Sequence, residues 1–354
     1  MSPNCAGVTL LFATSLLVCG IGVAEADVTI KERIAVEGSG LMSMASMSGT
    51  STTSISGKHA RMESDMRLQS GFARMFARGA GQSVEIVRLD EDTIYELDVK
   101  KKRYRETSLA ARRAELAKAL EQATQAQQAN PMAFDDSQCD WSEPKVKVDK
   151  AGAKVAIAGL SSAPVGIVAR QSCKDRRSGA VCEIALSLEE WMAPSSGAAQ
   201  DVLQFRTAFA QQMGVGNAQR DVVDRAEILF GRYKQAWSLV ASEMRGVKGF
   251  PVKTRFAFGL GGGGCNSGSG GAGSGSAGAP SPASVASEIF GAFGRKKAPQ
   301  DDARSTASTS APAGLSGMVV PIRVTSELYS IEGEPLSAST FEVPAGFKKI
   351  TSGK

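Results

Sequence analysis

Val84-Glu-Ile-Val-Arg-Leu89 leads into the acidic turn Asp90-Glu-Asp92, after which Thr93, Tyr95, Leu97 and Val99 alternate onto one face. Side chains along a strand point to opposite faces with a period of two, so this pattern demands a sheet with one buried face. The same pattern recurs along the chain. Asp27 to Val36 opens with alternation, the Gly/Ser/Thr/Met-rich stretch 37–57 reads as a loosely patterned hairpin, and Lys58 to Met66 suits a polar strand. Lys145–Val148, the turn Asp149–Gly152 and Lys154–Ile157 spell another hairpin. Ile167–Cys173 and Cys182–Leu188 spell a third, turning at Ser178-Gly179. Short strands joined by tight turns pair antiparallel.

Two regions have helical spacing instead. Thr107 and Ser108 can cap a helix over 109–129, whose apolar residues are Leu109, Leu116 and Leu120 with alanines, a thin contact stripe ended by Asn130-Pro131. In 198–246, Val202, Phe205, Phe209 and Met213 recur at helical spacing, and Gly214 and Gly216 interrupt. Val222, Ala226, Leu229, Tyr233, Trp237, Val240 and Met244 then follow at steps of three and four. Such a helix must bury its aromatic side, most simply on the sheet, which makes the class α+β. After strand-like 250–260 the composition collapses to Gly and Ser over 261–284. Val285–Lys297 could form a short helix with a basic end, and 298–316 is polar and of low complexity. The expected organisation is a leader over 1–26, a β-rich domain over 27–260 with helical insertions, a linker over 261–316, and strands in 317–354 completing the same domain. Strands flanking the linker can pair, because loop-closure cost grows slowly with length.

Ala6 to Val23 carries no charge and precedes Ala24-Glu-Ala26, which reads as a secretory signal peptide cleaved after Ala26, with an uncleaved anchor as the alternative. Leu16-Leu-Val-Cys19 is close to a lipobox, but Val18 stands where a small residue belongs, so lipid anchoring at Cys19 is not expected. The expected location is the periplasm or envelope of a bacterium. Beyond the leader lie Cys139, Cys173, Cys182 and Cys265. Folding the chain at Arg177-Ser178 puts Cys173 across from Cys182, and a disulfide is expected there, with Cys139 and Cys265 paired by default or left as thiols.

A single histidine, His59, excludes multi-histidine zinc centres, facial triads and di-iron bundles. It lies on a polar strand and is read as a surface residue. Forty-one Lys and Arg against 36 Asp and Glu give a net charge of +5, far from the dense basic stripe of a nucleic-acid binder. Gly268–Gly273 matches G-x-G-x-x-G only inside the Gly/Ser tract, without the strand and helix that give the motif meaning. No P-loop and no G-x-S-x-G elbow occur. Asp90/Asp92 and Asp135/Asp136 fit turn and loop chemistry, and Glu189/Glu190 is not by itself a glycosidase pair. No catalytic residue, metal or cofactor is expected, and the chain reads as a non-enzyme. Basic clusters at 100–103, Arg176-Arg177 and 295–297 include two hairpin tips, ordinarily solvated, that could touch lipid phosphates.

Several phrases carry a resemblance. Val87-Arg-Leu-Asp90, Tyr95-Glu-Leu-Asp98, Lys100-Lys-Lys-x-Tyr104, Leu188-Glu-Glu-Trp191-Met-Ala-Pro194 after Cys173 and Cys182, and Phe341-Glu-Val-Pro-Ala-Gly-Phe347 resemble a family of exported bacterial β proteins of unknown function. That family is similar to the LolA-like lipoprotein-carrier half-barrel. The resemblance implies a curved antiparallel sheet curled around helices on its concave face, with an apolar hollow able to take acyl chains. It matches no carrier functional residue, and the insertions 198–246 and 261–316 depart from a bare carrier. The expected function is non-enzymatic binding of a lipid or lipoprotein acyl chain between the sheet and helix 222–244. Phe205, Phe209, Leu229, Tyr233, Trp237 and Met244 are the cavity candidates. The alternative is a structural or interaction module of the envelope, with the tether presenting Val285–Lys297 to a protein partner.

Overall fold

A computed structural model describes residues 27–39, 43, 46–70, 81–129, 139–150, 152–214, 233–262 and 314–350. The expected leader, Leu229, Cys265, residues 222–232 and nearly all of the expected linker lie outside them.

The described strands are β1 (Val28–Gly38), β2 (Met47–Ser56), β3 (His59–Leu68), β4 (Gln82–Arg88), β5 (Thr93–Asp98), β6 (Arg103–Ser108), β7 (Cys139–Trp141), β8 (Lys145–Asp149), β9 (Val155–Ile157), β10 (Leu160–Asp175), β11 (Val181–Ala193), β12 (Phe250–Gly261), β13 (Val319–Glu332) and β14 (Lys348–Lys349). The helices are α1 (Leu109–Ala129), α2 (Ala198–Met213) and α3 (Lys234–Arg245). The strands form one open, curved sheet in the order β14-β6-β5-β4-β3-β2-β1-β13-β12-β11-β10-β7, with β8 and β9 also on β10. Every pairing is antiparallel except β14 with β6. The class is therefore α+β, as the alternating segments predict.

The expected hairpin over 145–157 is replaced by a different pairing. β8 and β9 each pair with β10, through Val148↔Ile167 and Ile157↔Leu160. At 16 residues, β10 is long enough to take β7, β8 and β9 along one edge. The β9–β10 turn is Ala158-Gly159, with φ of 49° and 77°, the left-handed pair that matches the twist of a two-residue hairpin. The strands flanking the long insertion do pair, with Phe258 opposite Ile322. β13 also pairs with β1, Val324 lying opposite Val36, so it joins the two halves of the sheet.

The helices share one face. α2 lays Ala199, Val202, Phe205 and Met213 on Val28, Ile30, Ile55, Ala60, Val87 and Phe250. α3 lays Ala236, Trp237, Val240 and Met244 on Ile167, Leu186, Leu188, Phe256 and Phe258. The Ser108 hydroxyl caps α1 by accepting from the N–H of Ala111 at 3.0 Å, and Leu109 is fully buried. Arg112 then holds α1 to the sheet. It pairs with Glu96 and, at 3.4 Å, with Glu85, and Arg105 reaches Glu96 at 2.6 Å.

The opposite face is covered at two places. Leu315 and Met318 pack on Ala185 and Ala257, and Gly259 makes room for them, because a Cβ there would lie 3.1 Å from a Leu315 methyl. Leu336, Phe341 and Phe347 cover Val84, Ile86, Tyr95 and Leu97. This is the face onto which alternation directs Tyr95 and Leu97.

The β10–β11 turn is locked by Asp175. Its Oδ1 accepts from the N–H of Ser178 at 2.6 Å, the Ser178 hydroxyl at 2.8 Å and the N–H of Arg177 at 3.0 Å. The Ser178 backbone bond, followed by its hydroxyl, holds the carboxyl below its ordinary 3.8. Asp98 is held down chiefly by the N–H of Lys101. A native carboxylate with a depressed pKa binds fewer protons than its unfolded counterpart just below pH 3.8. Its stabilisation is present above that pH and is lost as the pH falls through the native value. Asp175→Ala is expected to lower the melting temperature at pH 7 and to flatten its fall below pH 3.8. Parallel melting curves across pH for the two proteins would contradict this.

Candidate functional site

Strand register builds an apolar row straight across the helix face. Leu68 lies opposite Met47, Met47 opposite Val36, Val36 opposite Val324 and Val324 opposite Phe256. The row continues through Leu188 and Ile167 to Val148. α3 covers its β10–β12 end, where Phe256 and Leu188 are buried. At the other end Ile34, Val36, Met47, Met66 and Leu68 belong to neither helix-packed cluster and remain half-buried. Ile34, through Gly49, leads to Met66 in the neighbouring row. Half-buried aliphatic and methionine side chains on one wall of a curved sheet offer transferable apolar area, worth about 25 cal/mol per Å² once covered.

The row beside it is polar. Ile34 lies opposite Ser326, Ser326 opposite Thr254 and Thr254 opposite Glu190. Glu190 is 3% exposed and faces the helices. Its neighbour Glu189 points to the other face, where Arg255 pairs with it at 3.2 Å. Consecutive strand residues cannot flank one bond, so the Glu189/Glu190 pair is divided by the sheet. Further along β1, on the same face, Glu32 accepts from Arg206 of α2 at 3.5 Å.

The cavity candidates fall into two packed groups. Phe205 is 6% exposed and stacks with Phe209, ring centroids 6.3 Å apart, in the α2 cluster. Trp237 and Met244 are each 3% exposed in the α3 cluster. There Trp237 meets Phe256 edge-on at 6.0 Å, and Tyr233 lies between Phe258 at 5.3 Å and Trp141 at 6.1 Å. Thus one row of candidates in sequence becomes two aromatic clusters on different parts of the sheet. A hollow of about 510 Å³ runs along the outward side of α2, by Gln200, Leu203, Gln204, Thr207 and Gln211. None of the described candidates lines it. The half-buried residues Val36, Met47 and Val324 are not among the candidates, although alternation in Ile34-Ala-Val36 and in Ile322-Arg-Val324 signals the two valines.

His59 Nε2–H donates to Asp90 Oδ1 at 3.0 Å, and its ring lies 5.9 Å from that of Phe341. Burial raises the Asp90 pKa, but the His59 bond and its own backbone outweigh this and hold it below 3.8. The pair fastens the β3–β4 end of the sheet to the C-terminal segment.

The disulfide differs from the expected pairing. Cys173 stands directly opposite Cys182 in register, yet the bridge runs to Cys139, with Cα atoms 5.4 Å apart. The hairpin argument considers one neighbour of β10, whereas β7 occupies its other edge and sets Cys139 opposite Asp175, a short diagonal from Cys173. All three cysteines are buried.

Among the described residues, no group of three or more His, Cys, Asp or Glu could hold a metal ion, and no helix is long and apolar enough to cross a membrane. In comparisons with known proteins, no family model matches the chain and no curated protein is significantly similar to it.

Proposed function

We propose that this is an exported, non-enzymatic protein of the LolA-like type that binds a hydrophobic ligand, a lipid or lipoprotein acyl chain, on the helix face of its sheet. The observation that carries this reading is the apolar row, covered by α3 at one end and half-buried at Val36, Met47 and Leu68 at the other. A chain laid along that end would extend the α3 core without opening it. The sheet is curved and open rather than closed, as a ligand-holding half-barrel requires, and the buried disulfide suits an oxidising compartment. The binding residues shift accordingly from the packed aromatics to Ile34, Val36, Met47, Met66 and Val324.

The test is native mass spectrometry of the purified protein, with extraction and identification of bound lipid. The wild type is expected to carry an acyl lipid. Val36→Asp should lower binding of a fluorescent fatty acid at least roughly tenfold, because a carboxylate in an apolar contact costs more than the 1.4 kcal/mol that a factor of ten represents. Repeated isolation of a ligand-free protein, together with fatty-acid binding unchanged in Val36→Asp, would overturn the reading.

A further inference from the structure

Two basic runs far apart in sequence meet at one corner of the sheet. The β5–β6 turn carries Lys100, Lys101, Lys102 and Arg103. β14 brings Lys348 beside Arg103 and Lys349 beside Tyr104 in parallel register. The junction is fixed by backbone bonds. The N–H of Lys348 donates to the carbonyl of Lys102 at 3.0 Å, and that of Ile350 to the carbonyl of Tyr104 at 2.8 Å. Lys102 itself takes a left-handed φ of 48°, which holds the turn tight.

Local carboxylates leave much of this charge uncompensated. Asp98 is shared by Lys101 at 3.7 Å and Arg103 at 3.5 Å, and Glu106 pairs with Lys349 at 2.8 Å. Lys100 stands near Asp65, which Arg67 already engages at 3.0 Å. Lys102 and Lys348 make no ion pair among the described residues. All five lysines are exposed. Two exposed aliphatic side chains belong to the same corner, Val99 at 44% and Ile350 at 37%.

We infer that this corner is a docking surface for an anionic phospholipid bilayer. Several lysines on short, fixed backbone elements gain from the negative surface potential of acidic lipids, at about 1 kcal/mol each. Val99 and Ile350 add apolar area that can enter the headgroup boundary. The surface is distinct from the helix face, so it stands or falls independently of the acyl-chain reading.

The experiment is flotation of the full chain with neutral phosphatidylcholine vesicles and with vesicles containing phosphatidylglycerol. The expected result is preferential binding to the anionic vesicles, reversed by high salt. Combining Lys100→Gln, Lys102→Gln and Lys348→Gln should lower that binding by roughly fivefold per lysine, about 100-fold together. Lys145→Gln with Lys147→Gln, on exposed positions of β8, should leave it unchanged. Should the triple variant fail to fold, the salt dependence of the wild type reads the same electrostatic term. Equal binding to neutral vesicles, full binding by a folded triple variant, salt-insensitive binding, or displacement from vesicles onto an RNA competitor would each overturn the inference.

Discussion

Trp237→Ala is expected to lower the free energy of unfolding by about 3–5 kcal/mol, the range for deleting a large aromatic from a packed core. The ring is 3% exposed and contacts Phe256 edge-on, between α3 and the strands β10–β12. Removing it leaves a void that Val240, Met244 and Leu186 cannot fill without moving a helix. Urea unfolding, followed by circular dichroism because the substitution removes one of three tryptophans, measures the loss. A loss below about 1 kcal/mol would show that α3 is not anchored by this ring. The same variant separates a core role from a ligand role. If Trp237 belongs to the core, fatty-acid binding at low temperature survives the substitution, whereas Val36→Asp removes binding and spares stability.

The second large effect is expected from the disulfide. Cys139 and Cys173 are 34 residues apart, and closing a loop of that size restricts the unfolded chain by roughly 3–4 kcal/mol. Cys139→Ser should lower the urea midpoint accordingly, and a reducing agent should lower that of the wild type at least as far. Peptide mapping of the unreduced protein should recover a linked Cys139 and Cys173 pair. An unchanged midpoint, or a map linking Cys173 to Cys182 in its place, would contradict the assigned bridge.

These effects come from features that the sequence exposed to different degrees. The β4–β5 and β10–β11 hairpins are legible because their information is local, with alternation on both sides of a turn rich in Asp, Ser or Gly. The pairing of β12 with β13 is also legible, since strand-like text stops and resumes on either side of the Gly/Ser tract. The pairing of β8 and β9 with β10 is not legible, because Asp149–Gly152 reads as a turn and nothing local shows that β10 extends far enough to take both strands. β7 spans only Cys139–Trp141, too short for any period to register, and with it went the disulfide partner. Tyr233, Trp237 and Met244 pack in one cluster, as their helical spacing predicts. That Phe205 and Phe209 stack in another cluster depends on how α2 and α3 are placed over the sheet, which helical spacing does not encode. The half-buried row was hidden for a related reason. Alternation marks Val36 and Val324 as facing the same way, but their meeting depends on register between β1 and β13.

That register has a consequence for how the chain is made. Lys31 and Glu332 touch across a separation of 301 residues, and β13 is the only described strand that joins β1 to β12. Until β13 has left the ribosome, β1 and β12 each lack the strand that lies between them, and the half-sheets on either side are not joined through it. Pairing over such a span is slow, because a long loop must close before any contact rewards it. The sheet thus stays incomplete until β13 has been made, long after β1. A protein bound for a translocation channel that admits only unfolded polypeptide would gain time from that delay, and it would need a chaperone to shield the open edges meanwhile.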